Sequence, residues 1–133
     1  MLKIRAIADF YMNKILLSIN PEHVENILNG SKRFEFRKVR CKSDVNKIVI
    51  YATYPIMKVV AEVSVEKIIE GDLNEVWKQT KNFSGINRAF YYKYYSGKKK
   101  AVAYKLCDVK RYKKRKKLSS YGLSFAPQSF VYL

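Results

Sequence analysis

Residues 30–38, Gly30-Ser31-Lys32-Arg33-Phe34-Glu35-Phe36-Arg37-Lys38, constrain the fold more than any other stretch. A glycine ends one element here and a strictly alternating run begins the next. Along an extended chain, successive side chains point to opposite faces. Phe34 and Phe36 therefore share an apolar face, and Arg33, Glu35 and Arg37 share the other. A carboxylate flanked by two guanidinium groups at two-residue spacing can be paired and held in place. Two readings follow: a strand forming the floor of a binding cleft, or a charged strand face turned to solvent.

The residues before this run predict its packing. Ile15-Leu16-Leu17-Ser18-Ile19 is a short apolar run that suits a buried strand. Asn20-Pro21 then opens a helix, because Asn20 can cap free amides and proline at the first helical position has no N–H to leave unpaired. Val24, Ile27 and Leu28 form its apolar stripe, and Gly30 suits the left-handed residue after it. His23, the one histidine, reads as an ordinary surface or half-buried residue in its first turn.

Further on, Lys47–Thr53 reads as a strand buried on both faces. Val59–Val65, continuing to Ile69, reads as the next strand, with Glu62 and Ser64 facing one way. Asp72 with Glu75 three positions later resembles a capping box, and Leu73, Val76 and Trp77 give that helix its core side. A third helix is expected over residues 86–95, with Ser84 as cap and Gly97 as stop. Its aromatic run suggests Ile86, Phe90 and Tyr94 buried together, with Tyr91, Tyr92 and Tyr95 partly exposed. Residues 101–106 alternate as a strand, and Phe130-Val131-Tyr132 reads as a closing one. Strands outnumber helices, so the expected fold class is α+β: a small, mostly antiparallel β-barrel with two or three short helices. Residues 1–13 read as an N-terminal extension and 14–133 as one domain.

Charge sets the partner class. A chain of 133 residues with 27 basic and 11 acidic side chains carries a formal charge of +16, which repels itself unless a polyanion is the normal partner. Nucleic acid is the first such partner, and an anionic membrane surface the second. No stretch approaches the length of a membrane span. Cys41 and Cys107 have no C-x-x-C spacing and no histidine nearby, so neither a zinc site nor another cofactor is expected. Two cysteines make a poor disulfide framework, and residues 1–5 lack the apolar run of a signal peptide. The expected compartment is the reducing cytoplasm.

The densest charge lies in Lys110-Arg111-Tyr112-Lys113-Lys114-Arg115-Lys116-Lys117, with Lys98-Lys99-Lys100 upstream. Such runs contact phosphates and supply affinity rather than sequence choice; the competing reading is a solvated hairpin loop. Tyr91, Tyr92, Tyr95 and Tyr112 stand beside lysines, the mixture on which unpaired RNA bases stack. Core packing competes for each of them.

Leu17-Ser18-Ile19-Asn20-Pro21, the helix, and then Gly30-x-Lys32-x-x-Glu35-x-Arg37 resemble the ASCH domain, a family of the PUA-like β-barrel superfamily. The likeness covers roughly residues 14–132. Residues 48–53 and Pro127-Gln128-Ser129-Phe130 resemble a branch described as transcriptional regulators. The resemblance implies a barrel with a cleft formed by Lys32, Glu35 and Arg37, with Ser18 and Pro21 at its rim, and a role in binding RNA in preference to DNA. One branch of the family comprises ribonucleases and another amidohydrolases acting on acetylcytidine, in which a lysine works with a threonine three residues on. Lys32 matches that lysine, but Glu35 stands at the threonine position, so the resemblance implies no such nucleophile. Two functions remain open. The first is an RNA-binding module without chemistry. The second is a small metal-independent ribonuclease or nucleotide-modifying hydrolase in which Lys32 and Glu35 are catalytic.

Overall fold

The computed structural model of the chain describes residues 13–133, so the extension expected for residues 1–13 lies, apart from Asn13, outside the described residues. The element order is β1 (Asn13–Ile19), α1 (Pro21–Leu28), β2 (Phe34–Arg37), β3 (Val45–Ala52), β4 (Lys58–Asp72), α2 (Leu73–Thr80), α3 (Arg88–Tyr94), β5 (Lys100–Lys116) and β6 (Phe130–Tyr132). The six strands form one sheet in the order β2-β5-β4-β3-β1-β6. Among the described residues, only β1 and β3 pair in parallel; every other pairing is antiparallel. The sheet is curled like a barrel, and β2 and β6 stand at its two edges.

Alternation sorts the core onto two faces. Ile15, Leu17 and Ile19 of β1 pack with Ile48 and Ile50 of β3, Val102 and Tyr104 of β5, and Val24 and Ile27 of α1. Each such side chain contributes about 1.5–3 kcal/mol when fully buried. The opposite face is covered in two places. Leu16, Val49, Tyr51 and Val59 pack against the C-terminal segment through Leu118, Tyr121, Leu123 and Val131. Phe34, Phe36, Ala101 and Ala103 pack against Val76 of α2 and Tyr91 and Tyr95 of α3. β2 thus puts its phenylalanines under two helices. In register, Glu35 lies beside Tyr104 and Arg37 beside Val102, on the face that carries α1.

The caps follow the sequence closely. The Asn20 side chain accepts from the Glu22 amide and Asp72 from the Asn74 amide, and Gly30 takes φ +86° just after α1. The third helix is corrected: it begins at Arg88, capped by Asn87, whose side chain accepts from the Phe90 amide.

The face of α3 is also corrected. Tyr91 and Tyr95 are fully buried at 0%, whereas Phe90 is 48% exposed. Tyr91 and Tyr95 are one turn apart, like Phe90 and Tyr94, but rotated by one residue. The hydroxyls decide between the two rows. Tyr91 donates to the Leu73 carbonyl at 2.8 Å, and Tyr95 accepts from the Val102 amide and reaches the Arg37 carbonyl at 3.0 Å. A buried tyrosine needs such partners, and the Phe90 row has no hydroxyl to offer at that position. Burial raises the ionisation of both phenols well above the usual tyrosine range.

The basic run is not a hairpin loop. β5 continues through Lys116, so residues 110–116 are strand. Its ladder with β4 is irregular there: Val59 and Ala61, two steps apart, match Lys116 and Arg111, five steps apart. The three surplus residues arch away from β4.

Candidate functional site

A cleft of about 180 Å³ lies where β1, the start of α1, β2 and α3 meet. Its lining includes Ser18, Asn20, His23, Lys32, Glu35, Phe36, Arg37, Phe90 and Tyr94. The alternating strand supplies its charged floor. Glu35 accepts from Arg37 Nη2 at 2.7 Å on one side and lies 3.7 Å from Lys32 Nζ on the other. The flanking cation is therefore Lys32 and not Arg33, whose guanidinium stacks on Phe83 at 4.2 Å outside the cleft.

Lys32 is 2% exposed. It arrives from the loop before β2, with its backbone amide bonded to the Asn26 carbonyl. Nζ donates to the Ser84 carbonyl at 2.7 Å and sits 5.1 Å from the Phe36 ring centroid. Its stem runs along Gly85, where an added Cβ would fall 2.7 Å from Lys32 Cβ and Cγ. Gly85 also has φ +71°, so glycine is needed there for space and for conformation. Burial lowers the ammonium pKa below the ordinary lysine value, and the Glu35 carboxylate opposes that shift.

Arg37 Nη2 also donates to the Ser18 carbonyl on β1 at 3.0 Å. One guanidinium thus ties β2, an edge strand, to β1, next to the other edge. Arg37 Nε is buried and has no hydrogen-bond partner among the described residues. The same holds for His23 Nδ1. Burial, and then the nearby Lys32 charge, lower the His23 pKa, against smaller opposing contributions from Glu35 and Glu22. His23 therefore faces the cleft as a neutral imidazole at pH 7.

Of the sequence-derived cleft residues, Ser18, Lys32, Glu35 and Arg37 come together. The Ser18 hydroxyl donates to the Pro127 carbonyl and is already used. Pro21 does not join them: it lines a separate groove on the far side of α1, with Arg111, Lys113 and Arg115. Tyr91 and Tyr95 are removed from any binding surface by their burial. Tyr92 is half-buried, with its hydroxyl on Asn74 and its ring near the Arg88 guanidinium. Tyr112 is half-buried with Lys116 Nζ 4.7 Å over its ring. Lys98, Lys99, Lys100, Lys110, Lys114 and Lys117 are solvent-exposed.

The sequence reading passed over His23, Ser84, Gly85 and Phe90. A signal existed for His23 alone: it lies three residues after Asn20 on a helix whose stripe is Val24, Ile27 and Leu28, so it flanks the buried face. No group of three metal-ligating side chains is found among the described residues.

The comparisons with known proteins agree with the fold. A family model described as the ASCH domain matches residues 17–119. The chain is 32% identical over 94 residues to an ASCH domain-containing ribonuclease of Zymomonas mobilis, covering 70% of this chain and 64% of that one. It is also 32% identical over 129 residues to the ATP synthase subunit alpha of Ureaplasma parvum, and 30% identical over 120 residues to the large ribosomal subunit protein uL22 of the same species. The chain spans only 16% and 39% of the length of those two proteins, so the likeness concerns one segment of each. Among solved structures, a crystal structure of a serine-to-alanine variant of the Zymomonas mobilis ASCH protein superimposes with a TM-score of 0.81 at 27% identity, covering 90% of this chain and 87% of that chain. With most of its length matched by the family model and its fold shared with a solved relative, the chain belongs to the ASCH domain family.

Proposed function

We propose that the chain is an RNA-binding module and that the Lys32–Glu35–Arg37 cleft receives one nucleotide of a single-stranded RNA. One observation carries the reading: Arg37 and His23 both line the same small cleft, and each has a buried nitrogen, Arg37 Nε and His23 Nδ1, without a partner among the described residues. A buried polar group left unpaired costs about 1–3 kcal/mol, so both favour a ligand with oxygen acceptors and ring or hydroxyl donors. A nucleotide offers both. Phe90, half-exposed on the cleft wall, gives a base a ring to stack on. The charge of +16 supports a polyanion, and a relative named as a ribonuclease supports RNA over DNA.

The test is a titration of labelled single-stranded RNA, and of DNA of the same sequence, at several salt concentrations. Removing Phe90 as Phe90→Ala takes away an exposed ring and should weaken binding by the equivalent of about 1–3 kcal/mol per stacked base. Arg37→Ala should weaken it over a similar range while leaving the salt slope nearly intact, because one contact is a small part of the total. If both variants bind like the parent, the cleft is structural.

A second reading, RNA cleavage by the same cleft, is favoured by the buried Lys32 and the neutral His23. An imidazole without its proton can accept one from a ribose 2′-hydroxyl as that oxygen attacks the adjacent phosphorus. The Lys32 ammonium can donate one to the departing 5′-oxygen, while Arg37 offsets the charge developing on the phosphate. The products are a cyclic phosphate and a free 5′-hydroxyl. Labelled RNA cut equally with and without chelator, and left intact by Lys32→Met and His23→Gln, is the expected result. Binding with intact RNA restricts the protein to the first reading.

A further inference from the structure

We propose that the groove on the far side of α1 is a second RNA subsite, which takes the phosphates of nucleotides next to the one in the cleft. This rests on the RNA-binding reading above. The groove measures about 240 Å³. Its floor is apolar, with Leu28, Ile56 and Val60, and its rim carries Arg111, Lys113 and Arg115. The irregular stretch of β5, between its pairings at Arg111 and Lys116, supplies one wall of the groove, and α1 supplies the other.

The rim charges have little internal reason to be together. One carboxylate opposes them, Glu25, 3.8 Å from Arg111, and the two side chains are 66% and 61% exposed. So exposed a pair is weak and screened, and a phosphate offering two oxygens to a guanidinium displaces it readily. Three cations around a groove repel one another until a polyanion fills it.

The two cavities are joined at one residue step, since Asn20 lines the cleft and Pro21 lines the groove. The ridge between them is the first turn of α1, a helix about 10 Å thick. Its amide end is positive. A strand leaving the cleft crosses this turn, which also carries the exposed Glu22, before it meets Arg111, Lys113 and Arg115. Lys98, Lys99 and Lys100 line neither cavity.

This contrast sets the experiment. The full chain is titrated with a uridine dinucleotide and with a uridine decamer at several salt concentrations. Two variants lose three positive charges each: Arg111→Ala/Lys113→Ala/Arg115→Ala in the groove, and Lys98→Ala/Lys99→Ala/Lys100→Ala away from it. Thermal melts check that both stay folded. The groove variant should lose at least about tenfold more decamer affinity than the control, with its salt slope flattened by about 2, from roughly 0.7 per contact. Its affinity for the dinucleotide should stay within about twofold of the parent. Equal losses in both variants would reduce the groove to a general field and overturn the subsite. So would loss of dinucleotide binding, or release from phosphatidylserine vesicles with RNA affinity unchanged. If the parent binds neither RNA, the RNA-binding reading itself fails; if it binds both and only the groove variant behaves like the parent, the subsite alone fails.

Discussion

Glu35→Gln is the perturbation that tests the cleft most directly. Among the described residues, Glu35 is the one anion lining a cleft that holds two cations, at 2.7 Å from Arg37 and 3.7 Å from Lys32. The substituted amide keeps the shape and one acceptor but removes the charge. At an effective dielectric of about 20, unit charges at the Lys32–Glu35 distance attract by about 4 kcal/mol, before desolvation offsets part of it. Removing one partner of a buried pair costs about 3–5 kcal/mol. Arg37 keeps some water, with its side chain 17% exposed, so about 3 kcal/mol is expected, near the low end of that range. For a domain of this size that is a fall of roughly 10 °C in Tm.

The pH dependence gives a sharper signature. Burial already lowers the Lys32 pKa, and Glu35 holds it back. In the variant that restraint is gone, so the native pKa falls further. The folded protein then binds fewer protons than the unfolded chain from a lower pH upward, and stability rises with pH across that window. The deficit against the parent should therefore be largest near neutral pH and narrow toward pH 10. Lys32→Met/Glu35→Gln should lose less than the two single variants together. Thermal melts of all four proteins from pH 6 to 10 measure both effects. A Glu35→Gln protein that melts within about a degree of the parent, or a deficit independent of pH, would refute the ion-pair argument.

Two further outcomes are expected. Gly85→Ala puts a Cβ 2.7 Å from the buried Lys32 stem at φ +71°; about 1–2 kcal/mol of backbone strain and about 1–3 of overpacking should appear in urea denaturation, with weakened RNA binding if Lys32 moves. His23 has its pKa lowered by burial and by Lys32, so the native protein binds fewer protons than the unfolded one just below pH 6.5 and loses stability as pH falls through that value; His23→Gln should lose this component in melts between pH 7 and 5, and the parent's imidazole should titrate below 6.5 by NMR.

Much of the fold was legible because the strands obey simple periods. Ile15-Leu16-Leu17 is buried at every position and residues 34–37 alternate, and each pattern admits one placement. The caps at Asn20 and Asp72 were legible for a similar reason, since a side chain two or three residues away must satisfy a free amide. The face of α3 was not. Phe90, Tyr91, Tyr92, Tyr94 and Tyr95 offer two apolar rows one residue apart, and the choice depends on acceptors at Leu73 and Arg37, 18 and 58 residues away. The backbone of the basic run was not legible because charge says nothing of hydrogen bonding: β4 was long enough to carry it as a strand, which removes the competing hairpin-loop reading. Lys32, Glu35 and Arg37 were found through their spacing, whereas Ser84 and Gly85 meet Lys32 from 52 and 53 residues away and have no local signature.

The position of Arg37 explains why these charges sit inside the molecule and not on its surface. β2 and β6 are the edges of the curled sheet and do not pair with each other. The seam is crossed instead by a side chain, Arg37 Nη2 to the Ser18 carbonyl on β1. A backbone ladder at that point would close the barrel and leave no opening. A guanidinium spans the gap while leaving Nε unpaired among the described residues, and Glu35 fixes its orientation from the same strand face. The strand therefore needs a carboxylate and an arginine two residues apart, and a lysine from the preceding loop completes the set. Under the proposed RNA-binding reading, such a seam trades hydrogen bonds of the sheet for a ligand position. Occupation of the cleft by an anion that satisfies Arg37 Nε should stabilise the fold as well as fill the site, since ligand at about 100 times Kd adds about 2.7 kcal/mol.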